Sequence, residues 1–235
     1  MKIGILFFVC QFFLSFSTVV SAEEKLVFST IQNIATTKLG LHILKEAYQR
    51  IGVSISVIEF PAERSLVIAN RGVDVDGELG RITGIHEEYP NLIKIPISIM
   101  KVQGMAFSKK LDFPIDGLDS LKPYSIAVMQ GSKLGAAITK GMNRHFVPSH
   151  ELLVRMLEKE RVELIVTSKF NGLRAFKQAN ITDFKMLQPP LLEMSIYHYL
   201  HKKHKNLVPK IYGALKAMQQ ENRFQNISRE YEGSL

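Results

Sequence analysis

From Leu26 onward two hydrophobic periodicities alternate along the chain. LVFST (26–30) is a short apolar run of strand character. Leu44, Ala47, Tyr48 and Ile51 then recur at helical spacing, which predicts a helix capped by Thr36 or Thr37 and stopped at Gly52. Val53, Ile55 and Val57 alternate as in a half-buried strand. Pro61 opens a second helix, PAERSLVIANR, which ends at Gly72. VDVDGEL reads as the next strand, and LIKIPISI and VQGMAFS as two extended segments.

A turn-rich link, LDFPIDGLDSLKP, interrupts this order, which then restarts. YSIAVMQ predicts a buried strand, GSKLGAAITKG a helix after a glycine turn, and HFV a short strand. Ser149 is placed to cap HELLVRMLEKE. VELIVTS is a further buried strand, followed by the helix KFNGLRAFKQA, the extended MSIYHYLHK and a late helix with Ile211, Leu215 and Met218 on one face. Strands alternating with helices imply an α/β fold with mostly parallel sheets. Two such runs imply two lobes, expected at 23–107 and 108–190, with 191–235 returning to the first lobe as a crossing and C-terminal helices. Ligands in such sheets bind beyond the carboxyl ends of the strands, so two facing lobes enclose a cleft.

The first 22 residues have a different pattern. Lys2, the only charge, precedes an apolar run, and Val20-Ser21-Ala22 ends the segment, the layout of a cleaved secretory signal with the mature chain starting near Glu23 in the periplasm. Cys10, the single cysteine, lies inside that run after Phe7, Phe8 and Val9, a poor lipid-attachment context. The remaining chain has no thiol, so thiolate catalysis and zinc–thiolate sites are excluded and the core must suffice without disulfides. The net charge is +8, with basic residues scattered and no interleaving of aromatic and basic positions. That argues against nucleic acid and is compatible with an anionic ligand or membrane surface.

Three stretches carry candidate chemistry. In MQGSKLGAA (129–137) a buried strand meets a glycine turn and a helix start, placing Gln130, Gly131, Ser132 and Lys133 where free backbone N–H groups can take an anion. The alternative is an ordinary capped helix, and the spacing is not that of a P-loop. In GVDVDGELGR (72–81) Asp74, Asp76 and Glu78 fall at alternate positions before Arg81. Too few oxygens follow for a calcium loop. A structural ion pair suits Asp76, and Glu78 with Arg81 at the strand's carboxyl end suits a cleft role. In PAER, Arg64 sits in the first turn of a helix, where its charge opposes the dipole, so either a ligand carboxylate or a neighbouring Glu59 or Glu63 compensates it. His198, His201 and His204 share no face on an extended segment, which disfavours a metal triad.

The order LKPYSIAVMQGSKLGAAI, SHELLVRMLEKERVELIVTS, SIYHYLHKKHKNLVPKI, together with RSLVIANRGVDVDGE in the first half, resembles the bacterial extracellular solute-binding proteins of family three, periplasmic components of polar amino-acid importers. The resemblance implies a two-lobed binding protein without cofactor or metal, monomeric, with no nucleic-acid partner, closing on a small polar solute for a permease of an ABC importer or for a membrane sensor. A periplasmic lyase on the same fold is the enzymatic alternative, with Glu78 as its acid or base. The resemblance assigns ligand contacts to Arg81 and to Gly131 and Ser132. The family's amine-binding acid is replaced here by Thr167-Ser168-Lys169, leaving Ser168 as the polar contact and arguing against a standard α-amino acid. The aromatic that covers the family's ligand is absent from IQNIATT.

Overall fold

The computed structural model describes residues 24–234, apart from the side chains of Glu24 and Lys133. The expected signal segment 1–22, with Cys10, lies outside the described residues. The first lobe begins β1 (Glu24–Ile31), α1 (Thr36–Gln49), β2 (Val53–Phe60), α2 (Ala62–Arg71), β3 (Gly77–Arg81), and β4 (Leu92–Ser108) leads out of it. The second lobe repeats the alternation as β5 (Ile126–Met129), α3 (Lys133–Ile138), β6 (Arg144–Val147), α4 (His150–Glu158), β7 (Leu164–Ser168) and α5 (Lys169–Gln178). A two-residue strand β8 (Lys185–Met186) precedes β9 (Leu192–His201), which returns the chain to helices α6 (Val208–Gln220) and α7 (Arg223–Ser234).

β1 runs parallel to β2 and β3, and β5 parallel to β6 and β7, as the strand–helix alternation requires. β4 and β9 run antiparallel to each other along most of their length and join the halves into one sheet, ordered β2-β1-β3-β9-β4-β7-β5-β6 with β8 on β4. One core packs α1, α6 and α7 on the first-lobe strands through Phe28, Leu39, Ile43, Leu44, Ile95, Ile211, Leu215 and Met218. The second-lobe strands are covered on both faces. Ala127 and Ile165 face one cluster, and Ile126, Val128, Leu164 and Val166 the other, which is why YSIAVMQ and VELIVTS read as continuous apolar runs.

Four local expectations change. The residue at the N-cap of α1 is Ala35, with no side-chain cap, and Thr37 Oγ1 instead donates to the Ile31 carbonyl at 3.3 Å. LIKIPISI and VQGMAFS form a single strand, β4, because Met100, Lys101 and Val102 at their junction pair with Ile196, Ser195 and Met194 of β9; the exposed Pro96 lies where that register shifts, between Lys94 and Ser98. The strand after α2 starts at Gly77 rather than at Val73. Asp76 is held off the ladder, its amide donating to Val27 O at 2.6 Å and its Oδ2 accepting from Val27 N at 2.7 Å. Of MSIYHYLHK, read as extended, Lys202 falls outside β9 and opens a short 3-10 turn, Lys202–Leu207, with Lys202, Lys203 and Lys205 exposed.

Gly77 is required at the start of β3. Its φ is +156°, and a Cβ there would lie 2.2 Å from the Tyr199 carbonyl oxygen, backbone that cannot swing away. Gly77→Ala should therefore lower the free energy of unfolding by about 1–3 kcal/mol in urea denaturation. Gly213→Ala, inside α6 where an added Cβ meets nothing within 4 Å, should instead raise it by roughly 0.5–1 kcal/mol.

Candidate functional site

The carboxyl ends of the two sets of parallel strands meet. β1 runs into the loop 32–35, and β7 into the start of α5. The Ala35 amide donates to Asn171 Oδ1 at 3.2 Å, and Arg174 Nη2 donates to the Asn33 carbonyl at 3.3 Å. Asn33 has φ +62°, a conformation asparagine tolerates well. His150, at the start of α4, lies near enough to Arg174 to respond to it: burial first, and the guanidinium second, push its imidazole below the ordinary value.

On the second lobe, the Gln130 amide donates to Val147 O at 2.7 Å and leaves its side chain exposed. Gly131 turns the chain at φ +77°. Ser132 caps α3, its Oγ accepting from Gly135 N at 3.0 Å, so the capping alternative is realised there. Lys133 opens α3, with its side chain outside the description. Ser168 ends β7, is buried, and stands at the N-cap of α5 without a side-chain cap bond. Lys169 beside it is bound by Glu232 of α7 at 2.8 Å.

On the first lobe, Glu78 is wholly buried. The hydroxyls of Ser29 and Ser65 donate to its Oε2 at 2.8 and 2.5 Å, and its Oε1 lies 3.1 Å from Arg81 Nε, a contact of charges without hydrogen-bond alignment. Arg81 Nη2 donates to Ala62 O at 2.9 Å. Burial pushes the Glu78 carboxyl up, and Arg81 and the two serines pull it back. Burial likewise pushes the Arg81 guanidinium down, against the pull of Glu78. Glu78 and Arg81 are thus brought together as a pair whose charges are spent on each other.

Asp76 accepts from Lys203 at 2.9 Å and meets His204 Nε2 at 2.7 Å, which is the structural ion pair expected of it. Burial works to raise its carboxyl, but Lys203, the Val27 amide and His204 outweigh it and hold it below the ordinary value. Asp74 is exposed ahead of the strand. Arg64 is exposed on α2, 5.9 Å from the Phe60 ring centroid, and Glu63 next to it accepts from the Tyr89 hydroxyl.

The three histidines have separate environments. His198 is fully buried, and its Nδ1 lies 3.0 and 3.1 Å from the carbonyls of Glu78 and Leu79. Carbonyls only accept, so Nδ1 carries the proton and Nε2 accepts from the Tyr48 hydroxyl at 2.8 Å. His201 is buried at the end of β9, and His204 serves Asp76. Sequence reading missed Asn33, Asn171 and Arg174. The signal for the last two was their three-residue spacing on one face of KFNGLRAFKQ.

Burial lowers the His198 pKa to about 4, although both carbonyls favour its charged form. The unfolded chain takes up this proton first, so the contribution to stability is complete above pH ~6.5 and is lost as pH falls towards 4, a total of about 3 kcal/mol. Urea denaturation at pH 7 and pH 5 should show the loss, with a flatter pH dependence in His198→Gln. Glu78→Ala, which leaves the Arg81 charge buried without its partner, should lower stability by about 3–5 kcal/mol at pH 7 in the same measurement.

No family model matches the chain. An uncharacterized protein of Shewanella oneidensis is 25% identical over 204 residues, covering 82% of this chain and 75% of that protein. Among solved structures, an ancestral arginine-binding protein bound to glutamine superposes with a TM-score of 0.62 at 17% identity, covering 90% of this chain and 99% of that one. A histidine kinase sensor domain with similarity to periplasmic binding proteins gives 0.64 at 11% identity, over 89% and 96%. The GluR0 ligand-binding core of Nostoc punctiforme, in complex with L-glutamate, gives 0.61 at 16% identity, over 88% and 98%. At these identities the likeness is one of fold: this chain has the two-lobed α/β fold they share, that of the periplasmic binding proteins.

Proposed function

We propose that the chain is a periplasmic solute-binding protein that closes on a small polar solute between its lobes and delivers it to an ABC importer. The observation that carries this reading is the meeting of loop 32–35 with the start of α5, which brings together the carboxyl ends of β1 and β7, one from each lobe, the end of such sheets at which ligands bind. In this reading a membrane-bound permease takes the solute onward; among the described residues no helix is long and apolar enough to cross a membrane. A sensor role, passing the bound state to a membrane receptor, is favoured by the likeness to a histidine kinase sensor domain.

In this reading Arg64, Gln130, Gly131, Ser132, Lys133 and Ser168 supply solute contacts. Arg81 holds its side of the cleft with Glu78 fixing its charge and orientation. The solute is not a standard α-amino acid. An ammonium drawn into a closed cleft needs a carboxylate, or its desolvation costs several kcal/mol. The position after β7 offers Ser168, which carries no charge, and Lys169, which is cationic and already bound by Glu232.

A thermal-shift screen of amino acids, small organic anions and amines tests the proposal, since a ligand of the folded state raises the midpoint. A non-amino-acid anion should raise it, and Ser132→Ala should weaken that ligand by about 0.5–1.5 kcal/mol if its hydroxyl contributes one hydrogen bond. Midpoint rises with several ordinary L-amino acids would overturn the ligand assignment but leave solute binding standing.

A further inference from the structure

We propose that α7 is a clasp: it grips α5 across the lobe boundary and sets how far the two lobes can part. The proposal rests on the cleft being the solute site, but its test requires no solute. α7 belongs to the first lobe, where Ile227 and Tyr231 pack in the core with α1 and α6. α5 belongs to the second, with Ala175 and Phe176 in that lobe's core. Yet the first turn of α5 is built into the first lobe. Phe170 is buried in the first-lobe core, its ring centroid 5.5 Å from that of Tyr231. Lys169 Nζ lies 2.8 and 2.9 Å from the two carboxylate oxygens of Glu232. At the other end of α5, Lys177 Nζ donates to the Ser234 carbonyl at 2.9 Å.

The clasp converges on one residue of the cleft loop. The Tyr231 hydroxyl donates to Ala35 O at 2.6 Å, while Ala35 N donates to Asn171 of α5 at 3.2 Å. The two faces of a single peptide segment are thus divided between α7 and α5. The covalent crossings are less restrictive. β4 and β9 lose regular register between Lys94 and Ser98 and again between Ser98 and Met100, and bulged strands bend there. Rotation about those bends has to break or carry along the contact of α5 with α7 and Ala35, which makes that contact the element that selects the angle.

Lys169→Glu places like charges at the grip and tests the clasp in the full chain. Small-angle scattering should show a larger radius of gyration than wild type. Hydrogen exchange of the Ala35 amide should accelerate tenfold or more, while that of Leu44 in the first-lobe core stays unchanged. The charge-reversed double variant Lys169→Glu with Glu232→Lys should return both readings to near wild type. If Lys169→Glu does not fold, Glu232→Gln reports the same direction with a smaller shift. Unchanged scattering in the folded single variant overturns the proposal, as does faster Ala35 exchange without a change in scattering, which is fraying of α7 alone. Loss of the wild-type readings in the charge-reversed pair also overturns it.

Discussion

The antiparallel pairing of β4 with β9 is the constraint on which the molecule depends. β9 pairs with β3 on one side and β4 on the other, and β4 also pairs with β7, so this ribbon ties the first-lobe sheet to the second. Everything that places the cleft follows from it. The parallel strands of each lobe are oriented by their neighbour in the ribbon, and their carboxyl ends meet where Ala35 reaches Asn171. The ribbon's side chains are accordingly packed: Ile95, Ile99, Met105, Phe107, Tyr199 and Leu200 are all essentially inaccessible to solvent. Burying each such side chain is worth about 1.5–3 kcal/mol, enough to hold the crossings together while the register shifts near Ser98 leave a place to bend.

A buried carboxylate beside this ribbon is costly unless paired and hydrogen-bonded. Glu78 meets both conditions. It lies on β3 directly opposite Tyr199 of β9, and it is served by one serine from β1, one from α2 and a guanidinium three residues on. Three segments of the first lobe, β1, α2 and β3, are therefore specified by one carboxylate, because each serine has to be within hydrogen-bond distance for the charge to be tolerated. His198 extends the polar seam: its Nδ1 is tied to the Glu78 and Leu79 carbonyls and its Nε2 to Tyr48 of α1. The alternating acids of GVDVDGELGR thus divide by burial. Asp74 is exposed, Asp76 is fixed by Lys203 and His204, and Glu78 is internal.

Much of the fold was legible because it rests on local periodicity. Ile211, Leu215 and Met218 all face the core, Gly72 terminates α2 in the left-handed conformation, and Ser149 caps α4. What was not legible depends on partners distant in sequence. The start of β3 is displaced by Asp76 bonding to Val27, 49 residues away. α1 lacks a side-chain cap where Thr36 or Thr37 was expected, and the Ala35 amide ahead of it is met by Asn171, 136 residues on. The candidate site divides in the same way. The glycine–hydroxyl turn is local, and Ser132 was placed at its helix start correctly. Glu78 and Arg81 were placed together at the strand's carboxyl end, but that their charges would meet each other, with Ser29 and Ser65 sealing the pair, was not legible.

Lys169 shows how a single position connects recognition to conformation. At the carboxyl end of β7 a carboxylate would attract an ammonium group into the gap. A lysine there would repel it and, left unpaired, would also be expensive to enclose as the lobes approach. Glu232 removes both problems by supplying the counter-charge from the opposite lobe. The ion pair is only partly buried, so taken alone it is worth at most about 1 kcal/mol. Its weight comes from its neighbours: Phe170 enters the first-lobe core beside it, and Tyr231, one residue before Glu232, holds the Ala35 carbonyl. The lysine that stands where the resemblance expects an amine-binding acid is therefore also the residue that ties α5 to α7.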